Sequence, residues 1–129
     1  MSSDDEAADV VLTLPHDVDA PALARAFVSE HARSLPDAVL DDARLLVSEL
    51  VGNAVRYGQD EITLRLRPHP PGIGVAVTDR GDQLPTLPDG QPDPTAPSGR
   101  GLLIVATLAT HWGVEPLDTG KTVWFDLLP

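Results

Sequence analysis

Along this chain the spacing of apolar and polar positions changes several times, and each change marks an element. VVLTLP, residues 10–15, is a short extended segment closed by Pro15. HDVDAPALARAFVSEHARSL then spaces its apolar residues as an amphipathic helix, with Asp17 or Asp19 as N-cap. A second helix is expected from Pro36, a residue that suits a first helical turn, to Tyr57, with Gly58 as its stop. EITLRLRP alternates with period two, and GIGVAVTD follows through HPPG, so the two read as a hairpin. Residues 80–98 hold five prolines and no periodicity, which predicts a long loop, functional or disordered. GRGLLIVATLATHW restarts a helix behind Ser98 as cap, and WGVEPL and KTVWFDLL form two more strands around DTG. The order β-α-α-β-β-α-β-β predicts an α+β, two-layer sandwich: a mixed, mostly antiparallel sheet with its helices on one face.

Length and composition narrow this picture. A chain of 129 residues suits one domain, expected over 10–129 behind a disordered acidic tail at 1–9. No apolar run approaches the ~18 residues of a membrane span, the start MSSDDEAAD is unlike a signal peptide, and there is no cysteine, so a cytoplasmic protein without thiolate metal sites is expected. A formal net charge of −11 argues against direct nucleic-acid binding, which needs cations to displace counterions. It fits either simple solubility or a basic protein partner.

Candidate chemistry begins in the second helix, LLVSELVGNAVRYG. At ~100° per residue, Asp42, Glu49, Asn53 and Arg56 fall in one narrow stripe, while Leu40, Ala43, Leu45, Leu46, Val47, Leu50, Val51, Ala54 and Val55 cover most of the remaining circumference. A carboxylate inside such a helix needs a cation, water or a wet cavity. Gly52, in a helix interior, costs ~1 kcal/mol relative to alanine and points to something approaching the backbone closely. Periodicity alone leaves two readings open, a solvated stripe with a Glu49–Arg56 surface pair or a site. Asn53, the only asparagine of the chain, stands where helix propensity disfavours it.

Two further segments favour the site. VTDRGDQLP puts Asp79 at a strand end with Gly81 two residues on. There a carboxylate could accept from an exocyclic amine while the glycine lets the backbone approach a flat ring. SGRGLLIV places Gly99 and Gly101 at a helix start, where free amides suit phosphate. It is not a dinucleotide fingerprint, because the third glycine of G-x-G-x-x-G falls on Ile104. TGKTV is not a phosphate loop either: its first glycine falls on Glu115 and a strand follows.

In this order SELVGNAVRYG, DRGDQLP and GRGLLIVATLA, with GKTVWFDL as closing strand, resemble the ATP-binding (GHKL, Bergerat-fold) family shared by histidine kinases, gyrase-type enzymes and bacterial anti-sigma serine kinases. The opening LTLPHDVDAPALARAFVSEHA looks most like the anti-sigma kinase branch. The resemblance implies ATP and Mg²⁺ as ligands, with residues 80–98 as an ATP lid. Glu49 would be the general base, Asn53 the Mg²⁺ ligand, and Asp79 the reader of the adenine amine, supported by Thr122. Gly81 would admit the base, Gly99, Arg100, Gly101 and Leu102 would wrap the phosphates, and Arg56 or Arg100 would offset their charge. It further implies an RNA polymerase sigma factor and a STAS-type anti-sigma antagonist as partners, and a homodimer through the sheet or first helix. Three features depart from the family pattern: Gln83 replaces a frequent glycine, the lid has no basic residue between Arg80 and Arg100, and Lys121 stands where a small or hydroxyl residue is common. Two functions follow, a serine kinase that sequesters a sigma factor and phosphorylates its antagonist, or a nucleotide-responsive binding module with little or no kinase activity.

Overall fold

The computed structural model describes residues 9–57, 60–69, 71–80 and 104–129, apart from the Tyr57 side chain. Five strands and two long helices carry the fold: β1 (Val10–Leu14), α1 (Ala20–His31), α2 (Asp37–Tyr57), β2 (Ile62–His69), β3 (Gly72–Asp79), β4 (His111–Leu117) and β5 (Gly120–Leu127). Residues 104–108 form a further helical segment, α3. The strands lie in the order β1-β2-β3-β5-β4, and all four pairings are antiparallel, so the mostly antiparallel sheet has no parallel pair.

Alternation decides which face of the sheet is covered. Leu14, Ile62, Leu64, Leu66, Ile73, Val75, Val77, Phe125 and Leu127 point one way and are buried against Ala24 and Val28 of α1 and Leu46, Val47, Leu50 and Val51 of α2. Removing these side chains from water, at roughly 25 cal/mol per Å², is the main force holding the layers together. Both hairpins turn in two residues, since His69 pairs with Gly72 and Leu117 with Gly120. Asp60 enters β2 with φ 59, a left-handed conformation that aspartate tolerates better than most residues.

One boundary agrees with the periodic reading and another differs. The N-cap of α1 is Asp19, but its side chain caps nothing; the Asp17 carboxylate instead accepts from the Asp19 backbone N–H at 2.8 Å. The helix expected to reach Trp112 ends sooner. Ala109 N–H closes its last turn on the Val105 carbonyl, Thr110 N–H donates to the Asp126 carbonyl, and Trp112 lies in β4. Pairing with β5 outweighs helix continuation there, since Trp112 lies opposite Phe125.

At the open end of β1, the Arg67 guanidinium donates to both carboxylate oxygens of Asp9, at 3.0 and 3.2 Å. This hydrogen bond, helped by the charge of Arg67 and Arg65, holds the Asp9 carboxyl below its ordinary value. A depressed folded-state value stabilises the fold above the unfolded carboxylate range, and that contribution is lost as pH falls through the depressed value. Asp9→Asn is therefore expected to lower Tm slightly at neutral pH. Thermal melts should show the difference closing in strong acid and in high salt, as for any exposed pair.

Candidate functional site

The site is built outward from α2. Its buried arc consists of Ala43, Leu46, Val47, Leu50, Val51 and Ala54, and the arc lies on the sheet. Leu45, expected within the apolar wall, is exposed instead. Ser48 and Glu49, about 100° apart on the helix, fall on different sides of it. On the Ser48 side α1 closes in, with Arg25 Nη1 donating to Ser48 Oγ at 2.8 Å. The polar stripe takes the other flank, where Asp42, Glu49 and Asn53 are half-buried and Arg56 is exposed. Glu49 and Asn53, four residues apart, thus share one helix face at the border of the core. A Cβ added at Gly52 would meet no atom within 4 Å among the described residues, so packing there does not explain the glycine.

Topology sets which end of the sheet this stripe serves. α2 ends at Tyr57 and β2 begins at Ile62, a short connection, and Thr63 of β2 pairs with Thr78 of β3. The C-terminal turns of α2, with Asn53, therefore sit toward the sheet end where β3 finishes and β5 starts. Asp79 closes β3 at that end, buried to 3% exposure.

Lys121 lies opposite Asp79 across the β3–β5 pair, 6% exposed, and its Nζ donates to both carboxylate oxygens at 3.0 and 3.2 Å. Gly120 makes this pairing fit: a Cβ there would overlap the Asp79 carbonyl oxygen, so only glycine lets β5 begin this close to the end of β3. Thr122 does not join Asp79. One residue along a strand reverses the side chain, so Thr122 projects from the opposite face, hydrogen-bonded at 2.7 Å to Thr78. It borders a depression of about 450 Å³ there, with Arg65, Ala76, Thr78 and Trp124. The side chain that faces Asp79 across the pair is thus Lys121, while Thr122, expected to support the adenine contact directly or through water, projects from the other face. The signal was available in the parity of β5, because Lys121, Val123, Phe125 and Leu127 alternate together and the last three are core residues.

Gly81, Gly99, Arg100, Gly101 and Leu102, and the lid from residue 81 onward, lie outside the described residues. What is described fits an adenine nucleotide with Mg²⁺ in its chemistry. A buried carboxylate at a strand end is a hydrogen-bond acceptor for an amine, and the flank of α2 carries a carboxamide oxygen beside a carboxylate. Mg²⁺ keeps several waters and takes few protein ligands when phosphates supply the rest, so one carboxamide suffices. No helix among the described residues is long and apolar enough to cross a membrane.

Two of the solved structures similar to this chain illustrate the architecture. The RsbU and RsbW domains of Rv1364c from Mycobacterium tuberculosis superpose with a TM-score of 0.70 at 20% identity, covering 93% of this chain and 31% of that one. The histidine kinase domain of the Erythrobacter litoralis EL346 blue-light activated histidine kinase gives 0.52 at 18% identity, covering 88% of this chain and 60% of that one. This chain thus spans less than two thirds of either protein's length, and at these identities the likeness is one of fold. No curated protein matches it significantly. The model of the histidine kinase-like ATPase domain matches residues 14–127, nearly the whole chain, and with α2, the Asp79 strand end and the five-stranded sheet in place, the chain belongs to that family.

Proposed function

We propose that this chain is an ATP-binding regulatory protein kinase of the anti-sigma type, which sequesters an RNA polymerase sigma factor and phosphorylates a STAS-type antagonist on serine. One observation carries the reading: Glu49 and Asn53 share the flank of α2 that runs toward the sheet end where Asp79 is buried. Family membership supports the ATP site. The RsbW domain in the matched mycobacterial structure supports the anti-sigma branch.

Each residue has a task that follows from its chemistry. Asp79 accepts from the adenine amine, which disfavours guanine, whose matching position is a carbonyl. Asn53 offers a neutral oxygen to Mg²⁺, and Gly81, Gly99, Arg100, Gly101 and Leu102 are assigned to the base and phosphates. Arg56, the exposed member of the stripe, can offset phosphate charge. ATP with Mg²⁺, when bound, supplies the γ-phosphoryl group and neutralises the charge that develops on it. Glu49 takes the proton from the attacking serine hydroxyl, which requires only that its carboxylate face the cleft within hydrogen-bond reach.

The second reading, a nucleotide-responsive binding module without meaningful kinase activity, draws support from the Lys121 ammonium already bound to Asp79. Thermal shifts with ATP, ADP and GTP, with and without Mg²⁺, test what both readings share. At a nucleotide concentration about 100 times Kd, a ligand that binds only the folded state adds about 2.7 kcal/mol. ATP and ADP are expected to raise Tm, GTP to leave it in place, and Mg²⁺ to enlarge the ATP increment. No response to either adenine nucleotide would remove the ATP site.

A further inference from the structure

Lys121 is a costly choice for its position. Its stem points inward with Val123, Phe125 and Leu127, at 6% exposure, where an apolar residue of similar length would avoid desolvating an ammonium. A buried ion pair is weak ground for stability on its own, so a cation held at this strand end calls for another use. Asp79 and Lys121 set an acceptor and a donor side by side, 3.0 Å apart. Adenine presents the complementary edge, the amine N6–H donor next to the N1 acceptor. The two pairs are complementary in the order of donor and acceptor.

We infer that Lys121 is a second base-reading residue, donating to adenine N1 while Asp79 accepts from N6; the inference rests on the ATP-site reading above and adds to it the means of selecting the base. Guanine and hypoxanthine present O6 and N1–H in the same two places, so both contacts then face like with like: oxygen against carboxylate, N–H against ammonium. An aspartate alone rejects these bases at one position. The ion pair rejects them at two, and because its members are fixed on neighbouring strands by the close approach at Gly120, they cannot exchange places.

The test is a binding cycle on the full chain with ATP, ITP and 1-deaza-ATP, in which C–H replaces N1, for the wild type, Lys121→Met and Lys121→Ala. Affinities are read by calorimetry, with a thermal melt confirming that each variant is folded. The wild type is expected to bind 1-deaza-ATP on the order of tenfold or more weakly than ATP, the scale of a hydrogen bond to a charged group. In either folded variant that ratio should fall to about one, and the preference for ATP over ITP should shrink. Equal wild-type affinity for ATP and 1-deaza-ATP overturns the inference without recourse to any variant, as does a ratio that persists in a folded variant, since Lys121 would then only balance the charge of Asp79. These failures leave ATP binding intact. A wild type that binds no nucleotide instead removes the ATP site itself, and the inference with it.

Discussion

Glu49→Ala is expected to lower phosphoryl transfer to a serine of the antagonist by about 10²–10⁴-fold while leaving ATP affinity unchanged. The split follows from what a general base does. Glu49 interacts with the moving proton in the transition state, not with the bound nucleotide, so its loss falls on kcat rather than on binding. Its half-buried place on the flank of α2 also means that truncation removes little from the core. Transfer of labelled γ-phosphate to a STAS-type substrate, beside calorimetry of ATP binding, checks both halves. Unchanged transfer would dismiss Glu49 as the base. A wild type that binds ATP and transfers nothing would favour the binding-module reading.

The second large effect concerns the ion pair at the end of β3. Removing one partner takes an ionic contact from the other in a site 3% exposed at Asp79 and 6% at Lys121. Breaking a buried pair from one side costs about 3–5 kcal/mol, whereas replacing both partners with apolar residues is often neutral. Asp79→Leu or Lys121→Met alone should each lower stability by that amount in urea denaturation, and the double variant should recover most of it. Recovery of the fold is not recovery of the site. The double variant should still gain no Tm from ATP, which separates the pair's part in folding from its part in binding. Single losses below about 1 kcal/mol would mean that water or a neighbouring group already screens the pair.

Much of this was legible before any coordinates. The alternation of EITLRLRP predicted β2, and GIGVAVTD read as its hairpin partner β3; the buried face they share, Ile62, Leu64, Leu66, Ile73, Val75 and Val77, has the parity that such strands require. The end of α2 at Tyr57 was readable because a glycine follows the last periodic residue. The end of α3 was not. Ala109 and Thr110 continue a helical pattern acceptably, and only pairing with β5 stops it. Leu45 misled because a leucine on a mostly apolar helix looks like core, while a single exposed leucine is ordinary on a protein surface. At the site, the stripe on α2 and the strand-end carboxylate could be found from spacing. The role of Thr122 came from the family resemblance, whereas strand parity points Lys121 inward.

The sheet order carries a consequence for how the chain acquires its shape during translation. β5 lies between β3 and β4, yet it is the last of the strands to leave the ribosome. Until it does, β3 keeps an open edge, β4 has nothing to pair with, and the Phe125 ring is missing from the layer it fills. Pairings between such distant stretches form slowly, so a nascent chain spends that interval with its middle unfilled. Gly120 and Lys121 come to lie beside Asp79 only in that last pairing, so the buried ion pair marks the closing of the sheet.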